Sequence, residues 1–253
     1  MMRDQLRDKA YYDKRIEIAE SARLEALQGL RGYNDDGKTG CAADLCRYSN
    51  EIIFMRYSRG DAIEAMRDSV QKSYEILQLR RKVLDSVQIE ERIRKMWENL
   101  DLGSLSRYLT TLAFMVALRF PAADILNALK VIGHVDEEDA LLALAATYFG
   151  KEVPDVQNSK YPKAYGELVA MSRADAKEQP ALLKKYVNRW YRLNRPVYWH
   201  DTHKGAEGAY VGYWCFDVAL VVMLLGIDDS QAQDHPHYSS DLVRHYRQQV
   251  QSA

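Results

Sequence analysis

The sequence predicts an all-α protein, a compact bundle of roughly ten helices. Three observations lead there. Nearly every long segment repeats its apolar residues three or four apart. The one β-like run, Val87-Gln88-Ile89, is too short to make a strand. Short polar connections separate the amphipathic stretches, as antiparallel helix neighbours require. The composition agrees: 47% hydrophobic and 28% charged residues in 253 is an ordinary globular mixture. At this length folding buries roughly 73% of the unfolded surface. Disorder, a collagen repeat and a disulfide scaffold are excluded as descriptions of the chain.

The elements follow in order. Arg3 to Leu30 carries Leu6, Ala10, Ile16, Ala19, Ala22, Leu27 and Leu30 at helical spacing, and Gly32-Tyr33-Asn34-Asp35-Asp36-Gly37 breaks the pattern. A second helix is expected from Cys41 to Tyr57, ending at Ser58-Arg59-Gly60. Asp61 is expected to cap a third, which runs to Ser86 with Ile63, Met66, Val70, Tyr74, Leu77 and Leu84 on one face. Further helices are expected over 89–99, 104–119, 122–132, 137–149, 162–172 and 174–193. Asp136 is the expected N-cap of the one at 137, with Glu137, Glu138 and Asp139 complementing the helix dipole. The last two are expected at 208–226 and 239–251. The best internal joint is Gly150–Pro162, with Pro154, Asn158 and Pro162. A single domain over 1–253 is expected, its N-terminal segment (about 1–118) and C-terminal segment (about 119–253) sharing one core.

Charge and cysteine usage narrow the function classes. Thirty-five basic residues face 36 acidic ones, so the chain is not built to coat nucleic acid. Residues 201–253 nonetheless hold three basic and seven acidic residues, a local net of −4. Cys41, Cys46 and Cys215 form no CxxC, which fits a reducing compartment. No signal peptide is visible after Met1-Met2-Arg3-Asp4, and a cytoplasmic location is expected. Ala209–Ile227 is apolar enough to suggest a membrane span, but Asp217 near its middle costs about 2.5–3.5 kcal/mol there. A buried core helix is the better account.

Chemistry-bearing residues concentrate late in the chain. Five of six histidines lie at or beyond residue 200: His200, His203, His235, His237 and His245. Zinc and non-haem iron sites use such ligands. Yet there is no HExxH, and His235-Pro236-His237 would point its rings apart if extended. Loop residues that tie helix ends together are favoured over a metal site. Asp217 sits in Tyr213-Trp214-Cys215-Phe216-Asp217-Val218-Ala219-Leu220, so it needs a hydrogen-bond partner or a proton. A structural bond to a Tyr, Trp, Arg or His is expected over a catalytic acid. GxxxxGK[ST], GxGxxG and GxSxG are absent. Asp35-Asp36 and Asp228-Asp229 read as turns and caps rather than magnesium ligands. The run Lys184-Lys185-Tyr186-Val187-Asn188-Arg189-Trp190-Tyr191-Arg192 reads as an amphipathic helix whose cationic stems lie over the core.

These residues carry a family resemblance. Trp199-His200-Asp201-Thr202-His203-Lys204, Tyr210-Val211-Gly212-Tyr213-Trp214-Cys215-Phe216-Asp217, Ile227-Asp228-Asp229-Ser230 and Tyr238-Ser239-Ser240-Asp241-Leu242-Val243 resemble the PoNi-type immunity proteins of polymorphic toxin nucleases. Arg56-Tyr57-Ser58-Arg59-Gly60-Asp61 is similar to the same family's upstream segment, and the resemblance spans about 10–245. Asp217 stands where that pattern usually has Glu, and Ser239 where it usually has Pro.

The resemblance implies a non-catalytic, all-helical cytoplasmic protein without metal or cofactor. It would bind a cognate antibacterial nuclease toxin, often one delivered between bacteria by a type VI secretion system, and contact neither nucleic acid nor membrane directly. Self-association as a homodimer stays open. Trp199, His200, Asp201, His203, Tyr210, Tyr213, Trp214 and Asp217 are then expected to hold the fold. Toxin contacts are expected at Asp228, Asp229 and Asp234 in a loop with His235, His237 and Tyr238, with Asp136, Glu137 and Glu138 as a second patch. Two other classes remain: a helical metal-dependent enzyme using His200, His203 and Asp217, and a helical scaffold without a toxin partner.

Overall fold

The computed structural model describes residues 1–133, 139–205 and 210–252. It is 69% helical, and no strand occurs among the described residues. The chain falls into two compact units: Met1–Asp101 with Ala206–Gly212, and Leu102–Gly205 with Tyr213–Ala253. The break at 101/102 precedes a helix, whereas the expected joint at Gly150–Pro162 lies inside the second unit.

In the first unit, α1 (Lys9–Gly32) and α2 (Asp35–Arg59) pack along each other, and α3 (Arg67–Ser86) packs on α2. Asp8 caps α1 by accepting from Tyr11 N at 2.8 Å. The expected break over 32–37 shrinks to Tyr33 and Asn34. Asn34 accepts from Gly37 N at 2.9 Å and starts α2 at once, with Asp35 and Asp36 in the first turn. Asp35 is otherwise committed to Gln88 N (2.7 Å) and Lys38 Nζ (2.9 Å). Asp61 does not cap α3. It accepts from Arg56 and Arg59, and a 3₁₀ turn at Glu64–Met66 leads into the helix. α4 (Glu91–Glu98) follows, and Arg94 donates back to the Leu84 and Val87 carbonyls. Val87, the expected strand fragment, is the extended C-cap of α3.

Asp4 organises the N-terminus. Its carboxylate accepts from Tyr12 Oη (2.8 Å), Tyr210 Oη (2.6 Å) and the backbone N–H groups of Leu6 and Arg7. The Tyr210 carbonyl accepts from Tyr11 Oη at 2.9 Å, and the Val211 carbonyl from Ser58 Oγ at 2.7 Å. Residues 210–212 thus belong to the first unit, although Tyr213, which follows them directly, belongs to the second.

In the second unit, α10 (Phe216–Leu225) lies against α5 (Leu102–Ala117) and contacts α7 (Ala140–Tyr148), α8 (Pro162–Arg173) and α11 (Ser240–Gln251). Every residue from Phe216 to Leu224 is buried, as a helix apolar on all sides requires. Phe114 and Phe216 meet edge to face at 4.9 Å. The helix expected over 208–226 is therefore shorter at its start. Gly212 takes φ 111°, and Cys215 N donates to the His237 carbonyl at 2.9 Å instead of joining a helical turn. No helix among the described residues is long and apolar enough to cross a membrane.

α6 spans Ala122–Ile132 as expected. α7 begins at Ala140, capped by Asp139, which accepts from Leu141 N (2.9 Å) and Leu142 N (3.3 Å). The other Asp139 oxygen accepts from Ser159 Oγ and Lys160 N, tying the 151–161 connection to the helix start. Asp136, Glu137 and Glu138, the expected cap and second patch, lie outside the described residues. α9 (Gln179–Leu193) starts later than expected, with Pro180 in its first turn.

Two glycines separate backbone strain from crowding. Gly60 ends α2 at φ 92°, and a Cβ there would lie 2.1 Å from the Met1 carbonyl oxygen. Gly226 ends α10 at φ 67° with nothing near an added Cβ. Gly226→Ala should cost about 1–2 kcal/mol from its left-handed backbone alone. Gly60→Ala should cost visibly more, because it also unseats the N-terminus. Equal losses in chemical denaturation of the two variants would show that the contact at Met1 does not matter.

Candidate protein-interaction site

The second unit gathers rings from three stretches of chain around Tyr191 of α9. Tyr191 stacks on His200 (4.2 Å between centroids) and on His237 (5.3 Å), and lies 4.9 Å from Tyr213. One residue earlier, Trp190 stacks on Trp199 at 5.3 Å and leans on His237 at 5.6 Å. Such contacts add about 0.5–1.5 kcal/mol each beyond simple burial.

Sequence dictates how the rings arrive. Trp190 and Tyr191 are neighbours on α9, about 100° apart around the helix, and Trp190 is buried whereas Tyr191 is half-buried. After α9, tight turns bring Trp199 and His200 back over it: His200 N donates to the Val197 carbonyl, and Thr202 N to that of Trp199. Asp201 sits at φ 63°, a left-handed conformation that Asp tolerates better than most residues. Its N–H donates to Tyr191 Oη (3.2 Å), and the same hydroxyl donates to its Oδ1 (2.8 Å). Lys204 Nζ at 2.8 Å, helped by that hydroxyl, holds the Asp201 carboxyl down at about 2. Burial and the adjoining carboxylate push the Tyr191 hydroxyl up.

Tyr213 joins the next stretch. Its hydroxyl meets His203 Nδ1 at 2.8 Å and accepts from His203 N at 3.1 Å. Its carbonyl meets His237 Nδ1 at 3.1 Å, while the His237 carbonyl accepts from both N and Sγ of Cys215 at 2.9 Å. The histidines are therefore hydrogen-bonded, ring-stacked members of a scaffold. His200, His203 and Asp217 do not form a ligand set: among the described residues, no group of three or more His, Cys, Asp or Glu is placed to hold a metal ion.

Asp217 lies in the first turn of α10, buried, accepting from Trp190 Nε1 (3.2 Å) and Val218 N (3.0 Å). Burial outweighs these two donors and lifts its carboxyl to about 7. The Trp indole is one of the partners expected from the sequence. Tyr210 and Trp214 are buried as well.

The loop between α10 and α11 divides the expected contact residues. Asp228, exposed, accepts from Ser230 N at 3.0 Å, and that bond lowers its pKa. Asp234 is exposed, and His235 and His237 are half-buried. Asp229 and Tyr238 are not surface residues: they are 2% and 3% exposed. Asp229 accepts from Tyr238 Oη (2.7 Å), Gln233 Nε2 (3.0 Å) and Arg247 Nη1 (2.6 Å), while Arg247 Nη2 reaches the Ile227 carbonyl (2.8 Å). The pair Asp228-Asp229 thus splits into one solvent-facing carboxylate and one that fastens α11. Asp229 cannot offer its charge to a partner. Sequence alone could not separate them, because the deciding cation lies 18 residues on.

The second unit is a helical scaffold whose α10–α11 loop exposes Asp228 and Asp234 and whose His200, His203 and His237 are stacked or hydrogen-bonded within it. Residues 137–242 match the family described as PoNe immunity proteins (PoNi), C-terminal. That span, under half of the chain, holds the ring cluster, α9 and the acidic loop. No curated protein sequence matches the chain. Among solved structures, protein PA2201 from Pseudomonas aeruginosa is similar to 98% of this chain over 92% of its own, with a TM-score of 0.76 and 19% identity. That likeness shows a shared fold.

The raised Asp217 pKa fixes the sign of a pH effect. Its folded value, about 7, lies above the unfolded value, so the folded state binds the extra proton between about pH 4 and pH 7. Stability should fall as pH rises through that window, and Asp217→Asn should flatten the slope. Asp217→Ala should cost about 1–3 kcal/mol by stranding the Trp190 indole. Denaturant midpoints across pH would contradict this if the parent and the Asn variant ran parallel.

Proposed function

We propose that this protein binds and neutralises a cognate antibacterial nuclease toxin in the cytoplasm of the producing cell, without catalysis of its own. The toxin would be an effector delivered between bacteria by type VI secretion or a similar route. The observation that carries this reading is the immunity-family match over 137–242. The physical argument adds a way to inhibit. A nuclease holds DNA through a basic surface, since phosphate contacts dominate such binding. Carboxylates on a protein can occupy that surface in place of phosphates, and Asp228 and Asp234 are the exposed ones on the acidic loop.

The decisive experiment reads the genes on either side of this one and co-expresses the chain with the product of any that carries a nuclease domain. Cells should survive, and the purified pair should form a complex that no longer cuts DNA. Killing despite soluble expression of both proteins would defeat the reading.

The loop has its own test. Asp228→Lys with Asp234→Lys should slow association and weaken toxin binding about tenfold at low salt, with the thermal midpoint unchanged. Asp229 is left intact because it is fastened to Arg247. Binding with the parent's affinity and salt dependence would place the toxin elsewhere.

A further inference from the structure

We propose that the exposed face of α9 is a docking surface for an acidic protein segment. Assigning that segment to the toxin rests on the immunity reading. From Gln179 to His200 the sequence has five cations and no acid: Lys184, Lys185, Arg189, Arg192 and Arg195. Lys184, Asn188 and Arg192 are spaced by four and form one line along the helix, with Lys185 beside it and Arg195 in the following turn. All five of these residues are exposed. From Lys184 to Arg192 the line runs about 12 Å along the helix.

Most arginines elsewhere in the chain are engaged. Arg47, Arg56, Arg59, Arg81 and Arg247 each hold a carboxylate, and within α9 Arg189 is taken by Glu167. Lys184, Lys185, Arg192 and Arg195 hold none among the described residues. Nor does the helix need them for its seat, which is made by Leu183, Tyr186, Val187 and Trp190. Four uncompensated cations on one face repel each other and gain from carboxylates brought by a partner.

The setting favours a short acidic protein segment over nucleic acid. Tyr191 of the same helix stacks on His237, within the loop that exposes Asp228 and Asp234. A long polyanion continuing from the stripe toward that loop meets carboxylates, whereas a short segment can stop before them. Four cations are also few beside the six to ten phosphate contacts of a typical DNA-binding protein, roughly speaking. The family's partner is itself a protein, and a basic stripe beside an acidic loop can match a surface carrying both signs.

The test uses the intact protein with two labelled probes, an octaglutamate peptide and a short DNA duplex, at about 25 mM and about 150 mM salt. The peptide should bind at low salt, weaken at high salt, and bind more tightly than the duplex. Lys184→Glu, Lys185→Glu, Arg192→Glu and Arg195→Glu together should cost at least about tenfold in peptide affinity. The matching glutamine variant should lose less, and it carries the test if the reversed protein fails to fold. Tighter duplex binding would make the face a nucleic-acid surface and overturn the proposal. Absent peptide binding, or binding indifferent to the substitutions, would reduce it to a solvated helix face. The survival assay is independent. Protection without peptide binding sinks this proposal alone, and peptide binding through α9 without protection sinks the immunity reading alone.

Discussion

The second unit depends on one constraint: α10 is apolar on every side and so must be covered on every side. α5, α7, α8 and α11 supply the cover. The one carboxylate in this helix, Asp217, survives because it falls in the first turn, where Val218 N and the Trp190 indole reach it. That indole belongs to α9, so the bond also sets where α9 lies against the core. Trp190 in turn carries the Trp199 ring and, through its neighbour Tyr191, the stack with His200 and His237. The surface cluster is thus an extension of the way a buried acid is satisfied.

Much of this was legible in the sequence. Three- and four-residue spacing predicts the helices, and α6 falls where expected. An acid framed by Trp, Phe and Val must find a donor, and the Trp indole was among the expected ones. What failed to read through depends on distant partners. The start of α10 moved because the residues ahead of it are held by His237 and Ser58. Asp61 looked like a cap and is an arginine clamp. Asp229 looked like its neighbour Asp228 until Arg247 buried it. Local propensity predicts elements well, but which of two adjacent carboxylates faces water is a tertiary decision.

Charge is arranged on the second unit by segregation. The stretch without acids on α9 is followed in sequence by residues 201–253, with a local net of −4, and the two meet at the Tyr191–His237 stack. Near-neutral overall composition conceals this separation. A whole-chain net charge of −1 says little about a protein whose surface is locally of one sign or the other.

The segment at 210–212 bears on the order in which the protein takes shape as it is made. Tyr210 and Val211 supply bonds to Asp4, Tyr11 and Ser58, so the N-terminal helices leave the ribosome lacking part of their own unit. They remain incomplete until all of α5 to α9 has been translated. A chain cut after residue 101 would hold all four of its helices and still lack the strap that closes them.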